Sequence, residues 1–158
     1  VWCLIPGQQY ERAREQLERA LELDPNYAHA HWLLGWTAGI ESRFEESIAC
    51  LQKAVALSDN YPWFLAHLGW AYGISGRADE ARAVLSQLSV RRREQYLRSV
   101  YFALVHVGLD ERDEALDWLE KAYEERDIWL TWLKQDPTFE GLRSEPRFIA
   151  LIKKVGVA

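Results

Sequence analysis

A chain of 158 residues that is 49% apolar and 27% charged can bury one compact core or one short continuous array, and needs no second domain. Its formal charge of -5 does not suit a phosphate-neutralising surface, so nucleic acid is not an expected partner. Cys3 and Cys50 form neither a disulfide framework nor a zinc set, the apolar runs are far shorter than the roughly 20 residues that cross a bilayer, and Val1 to Ile5 is too short for a signal peptide, so a cytoplasmic, membrane-free protein is expected.

Taken in chain order, the apolar periodicity predicts helices at 8–23, 28–40, 44–58, 62–75, 78–90, 95–107 and 111–125. Asp24-Pro25-Asn26 and Asp59-Asn60-Tyr61-Pro62 break the chain between pairs of helices, with Pro confined to a loop or first turn. Gly7, Ser75-Gly76 and Gly108 fall where a first helix should stop, and Ser42-x-x-Glu45 has the spacing of a capping box for the helix that follows. Ile128-Trp129-Leu130-x-Trp132-Leu133 predicts a short helix, and Phe148, Leu151, Ile152 and Val155 form a helical stripe after Ser144-Glu145-Pro146.

These helices repeat. Ala13, Ser47, Ala81 and Ala115 are 34 residues apart, as are Leu17, Leu51, Leu85 and Leu119, and then Ala20, Ala54, Leu88 and Ala122. Leu34-Gly35-Trp36 recurs as Leu68-Gly69-Trp70, with Phe102-Ala103-Leu104 in register in the fourth unit. A small residue at such a place lets two helix backbones approach, and the Leu that follows fills the gap between neighbouring hairpins. This side-chain register ends after the fourth unit, where the two further apolar segments act as a cap with one wet face.

The pattern resembles the tetratricopeptide-repeat (TPR) family, whose unit is a 34-residue helix-turn-helix. The third unit matches best, through Leu68-Gly69-x-x-Tyr72 and Ala81-x-x-x-Leu85, whereas His31 and Leu65 replace the usual early Trp and the closing Pro occurs only as Pro25. The resemblance implies an all-α, right-handed TPR superhelix of antiparallel helical hairpins with a C-terminal helical cap. Its divisions are a partial first repeat at 1–26, repeats at 27–60, 61–94 and 95–127, and a cap at 128–158. From the third unit onward, Ala115-Leu116-x-Trp118-Leu119-Glu120-Lys121-Ala122-Tyr123, Trp132-Leu133-Lys134-x-Asp136-Pro137 and Leu142-Arg143-Ser144-Glu145-Pro146-Arg147-Phe148 are similar to the C-terminal TPR regions of bacterial multidomain signalling proteins. Such proteins carry an upstream kinase, adenylate-cyclase or winged-helix domain. Register sets Val1 opposite Gly35 and the chain has no Met, so an upstream segment is expected, and pairing of two copies through that edge is a secondary expectation.

By the same resemblance, first helices line an inner groove for a protein or peptide partner. Its inward positions read His29, Trp32, Trp36 and Gly39; Trp63, Ala66, Trp70 and Gly73; and Leu97, Val100, Leu104 and Val107. Trp2, Trp36 and Trp70 are equivalent, and the expected partner-binding set is His29, Trp32, Trp36, Trp63, His67, Trp70, Tyr101 and Leu104. The competing reading is that this ladder packs within the chain itself. His29-x-His31 does not make a metal pair, because residues two apart on a helix face different ways. Arg91-Arg92-Arg93 with Arg98 reads as a solvated helix end or a docking patch for an acidic partner. No phosphate loop, nucleophile elbow or zinc-protease helix occurs, and neither a catalytic residue nor a cofactor is expected. The alternatives to a peptide-binding scaffold are a small-molecule sensor stacking its ligand on the tryptophans and a self-association module.

Overall fold

The computed structural model describes residues 8–157, so the expectations placed on Trp2, Cys3 and Gly7 lie outside the described residues. The elements are α1 (Gln8–Leu23), α2 (Ala28–Ile40), α3 (Phe44–Leu57), α4 (Pro62–Ile74), α5 (Ala78–Glu94), α6 (Ser99–Gly108) and α7 (Arg112–Glu124). Two 3-10 helices at Ile128–Trp132 and Pro137–Leu142 precede α8 (Pro146–Val155), and no strand occurs among the described residues. The all-α hairpin array expected from the register is therefore the observed fold. Two compact units meet at Leu65 and Ala66, inside α4.

The first helix of each hairpin, α2, α4 and α6, is apolar on nearly every side, whereas α1, α3, α7 and α8 are apolar along one stripe. The contacts explain the difference. In the first unit α2 is packed against both α1 and α3, and in the second α6 is packed against α5, α7 and the second 3-10 helix. A helix with neighbours on several sides has little need of a polar face. The outer helices keep one, and α3, α5 and α7 each open with an acidic pair (Glu45 and Glu46, Asp79 and Glu80, Asp113 and Glu114) that complements the helix dipole.

The 34-residue signature positions are where the backbones touch. Ser47, Ala81 and Ala115 are completely buried, as are Leu51, Leu119, Ala54, Leu88 and Ala122. A Cβ on Gly35 would lie 2.6 Å from Leu51 Cγ and 2.9 Å from the Ser47 carbonyl oxygen, and the Ser47 hydroxyl donates to the Gly35 carbonyl at 2.6 Å. In the second unit a Cβ on Gly73 would meet the Gly108 carbonyl carbon at 2.4 Å. Gly108 is thus a contact glycine inside α6 and not the left-handed helix stop that its position suggests.

The stops lie elsewhere, and they repeat. Ser42, Gly76 and Asp110 have φ of 61°, 81° and 55°. The next N–H in each case, from Arg43, Arg77 and Glu111, donates back to Ala38, Tyr72 and His106 at 2.8, 2.8 and 3.0 Å. This is a Schellman closure. It overturns the capping box at Ser42: that residue is left-handed, Arg43 is the N-cap without a side-chain cap bond, and Glu45 acts only through its charge in the first turn.

Helix α5 continues to Glu94, past the expected end at 90, and α6 starts at Ser99 where 95 was expected. The three arginines sit in the last turn of α5, where positive charge is favourable, and Gln95 then turns the chain extended. At the other end, the helix starts keep the repeat longer than the side chains do. The N-caps Arg43, Arg77, Glu111 and Glu145 are 34 residues apart, and each carbonyl accepts from the N–H four residues on at 3.0 to 3.1 Å. In α8 the small and Leu positions have become exposed Ile149 and Lys153, and Phe148, Leu151 and Ile152 are buried instead. The cap is a fifth hairpin whose first helix has been replaced by two 3-10 turns. Asp127 and Asp136 start those turns by accepting from the N–H groups of Trp129 at 3.0 Å and Thr138 at 2.8 Å.

Candidate partner-binding surface

In the first unit two loops deliver aromatic residues to the starts of α2 and α4 with the same spacing. Tyr27 and Tyr61 precede the two helices, and His29 and Trp63 follow two residues later. The Asp24-Pro25-Asn26 loop is held by an Asp24 carboxylate that accepts from the Asn26 N–H at 3.0 Å. The His31 ring donates from Nε2 to the Pro25 carbonyl at 2.9 Å. His31 is therefore a buried strut facing away from His29. The second loop uses left-handed Asp59 and Asn60, and the Ser58 hydroxyl accepts from the Tyr61 N–H at 3.3 Å.

The rings form one cluster. Trp32 and Phe64 stack at 5.7 Å and 21° and are 3% and 1% exposed, so they make its floor. On this floor His29 meets Phe64 edge-on at 5.1 Å, Tyr27 stacks beside His29 at 6.0 Å, Tyr61 meets Phe64 edge-on at 5.3 Å, and Trp63 is tilted against Trp32 at 6.0 Å. Tyr27 and Tyr61 are 48% and 47% exposed, His29 is exposed and Trp63 half-buried. Offset and edge contacts of this kind fix ring orientation while leaving an aromatic face to solvent.

The expected binding residues separate accordingly. His29, Trp32 and Trp63 come together in this cluster, and Trp36 is half-buried further along α2. His67 and Trp70 meet edge-on at 6.5 Å in the second unit and, with Tyr101 and Leu104, are buried, so they offer a partner little surface. Tyr27, Tyr61 and Phe64 are additions that the groove positions did not include. The recurrence of Tyr27 at Tyr61 was a legible signal for two of them.

The second unit also contains aromatic faces, but its own arginines cover them. Phe102 and Trp118 stack at 4.4 Å, and the Arg92 guanidinium lies 5.4 Å and 5.2 Å from their centroids. Arg92 donates to the Leu97 carbonyl at 2.9 Å, the Ser99 hydroxyl at 3.2 Å and Glu125 at 2.7 Å. It is a structural tie and not the solvated helix end expected of the arginine run. Burial pushes the Glu125 carboxyl up, but the Ser99 and Arg92 hydrogen bonds outweigh it and leave the group below the ordinary glutamate range. A smaller version joins Arg77, 4.9 Å from the Tyr72 ring, to Glu80 at 2.9 Å.

Burial pushes the Cys50 thiol up, away from a nucleophilic thiolate. Among the described residues, no group of three or more His, Cys, Asp or Glu is placed to hold a metal ion, and no helix is long and apolar enough to cross a membrane.

Helical hairpins with a constant 34-residue turn and a ring cluster at two helix starts define a helical-repeat protein with an exposed aromatic surface. Comparison with known families agrees for the first part of the chain: a TPR repeat family matches residues 6–37 and a tetratricopeptide repeat family matches residues 28–61. The second match spans the hairpin of α2 and α3 from its first helical residue to Tyr61. Repeats of this kind generally mediate protein–protein interactions. No curated protein and no solved structure matches the chain.

Proposed function

We propose that this chain is a non-catalytic scaffold that binds a segment of a partner protein, with the aromatic surface at the starts of α2 and α4 as its main contact. His29, Trp63, Tyr27 and Tyr61 make the accessible part, Trp32 and Phe64 form the rigid floor, and Trp36 extends the surface along α2. The observation that carries the reading is the pair of half-exposed tyrosines packed on a buried aromatic floor. Rings held this way lose little conformational freedom on binding, and a few such anchors dominate most interfaces. The likeness of the C-terminal half to TPR regions of bacterial multidomain signalling proteins supports a role as the partner-recruiting module of a larger signalling chain.

A photo-crosslinking amino acid at position 61, compared with the same group at exposed Ser86 on α5, tests the proposal in cells. The expected result is a discrete protein adduct from position 61 that is absent from position 86. No adduct, or the same adducts from both, would overturn it.

A further inference from the structure

We infer that α1 carries a second docking site, one that takes a single apolar helix of a partner protein and does not depend on the aromatic surface. By the 34-residue register α1 is the second helix of a hairpin, with Ala13, Leu17 and Ala20 at the signature positions. In the later hairpins those positions are closed. Ser47, Leu51, Ala54, Ala81, Leu88, Ala115, Leu119 and Ala122 are all 0% exposed, and Leu85 alone is half-buried. In α1 all three are half-buried, no residue from 10 to 23 is fully buried, and Leu23 is 89% exposed.

What covers such a face is visible one hairpin on. Helix α2 lies against α3 through Gly35, where a Cβ would come within 2.6 Å of Leu51 Cγ and 2.9 Å of the Ser47 carbonyl oxygen. Its equivalent in α4, Gly69, approaches α5 as closely, 2.8 Å from an added Cβ to Val84 Cγ1, and α6 has Ala103 at this place. The covering helices α2 and α4 are 13 residues long and apolar on nearly every side. The complement of Ala13, Leu17 and Ala20 is therefore a helix of that kind, with Gly or Ala at the point of contact, because a larger residue there holds two backbones apart. Helix α1 is fixed to present the face: it packs on α2, and Arg14 binds Glu41, the C-cap of α2, at 2.5 Å. An apolar stripe at i, i+4 and i+7 on an anchored helix is what a second amphipathic or apolar helix docks against.

The probe is a fluorescent peptide with the sequence of α2, residues 28–40, flanked by lysines for solubility and titrated by anisotropy against the whole chain. Saturable binding is expected, and it should weaken by about tenfold or more for the same peptide carrying Gly35→Leu and for the chain carrying Leu17→Glu. Leu17 is only half-buried, so Leu17→Glu should melt within a few degrees of wild type. The peptide comparison leaves the chain unchanged and decides the matter if that variant proves unstable. No saturable binding, equal binding of the two peptides, or binding that a folded Leu17→Glu chain retains would overturn the inference. So would a chain that dimerises with concentration and becomes monomeric on Leu17→Glu, because a second copy would then be the occupant. None of these results bears on the adduct at position 61.

Discussion

The ring cluster at the starts of α2 and α4 and the Arg92 cluster around Phe102 and Trp118 are built from the same parts and finished differently. In the second unit the guanidinium comes from α5 and donates to three partners inside the chain, and the carboxylate of Glu125 is committed to Arg92 and Ser99. In the first unit the rings are anchored on a buried floor, and Tyr27 and Tyr61 are 48% and 47% exposed. The difference teaches that aromatic content alone does not mark a binding surface. What marks it is an aromatic face left open to solvent on a buried floor.

The comparison breaks if truncations in the two clusters have the same effect. Phe102→Ala removes a fully buried ring and should cost about 3–5 kcal/mol, whereas Tyr61→Ala removes a half-exposed ring and should cost about 1 kcal/mol or less; thermal unfolding followed by circular dichroism would read both. Arg92→Ala should cost about 2 kcal/mol by leaving Glu125 and the Leu97 carbonyl short of a donor. Arg92→Lys should recover only part, since a point cation cannot reproduce the forked bonds and the ring contact.

Acid should sharpen the contrast. The Glu125 carboxyl titrates below its unfolded value, so its contribution is present above the ordinary glutamate range and is lost as pH falls through the folded value. The stability gap between wild type and Glu125→Gln is therefore expected to be full above about pH 5 and to close on acidification. A gap that widens toward low pH would contradict the assignment. The smallest stability effect belongs to Asp24→Asn/Asp59→Asn, within about 0.5 kcal/mol of wild type.

Much of this architecture was legible in the residues. The spacing of Ser47, Ala81 and Ala115 and of the leucines after them required hairpins of constant length, and those positions are the contacts. Turn chemistry was less legible. Ser42 looked like a cap and Gly108 like a stop, yet a backbone Schellman bond needs no particular side chain and Gly108 is demanded by a neighbouring backbone. The continuation of helix starts to Glu145 was hidden because α8 rotates its apolar stripe by one residue. At the site, groove positions carried over from the family led to Trp70 and Leu104, which are buried. Exposure depends on how many neighbours a helix has, and local spacing does not encode that number.

The measurement closest to the central claim uses Tyr27→Ala/Tyr61→Ala, with stability and affinity for the position-61 crosslink partner read on the same preparation. Partner affinity is expected to fall at least tenfold while the melting temperature stays within a few degrees of wild type. A variant that melts early yet binds the partner normally while folded would show these rings to be core, and would contradict the account.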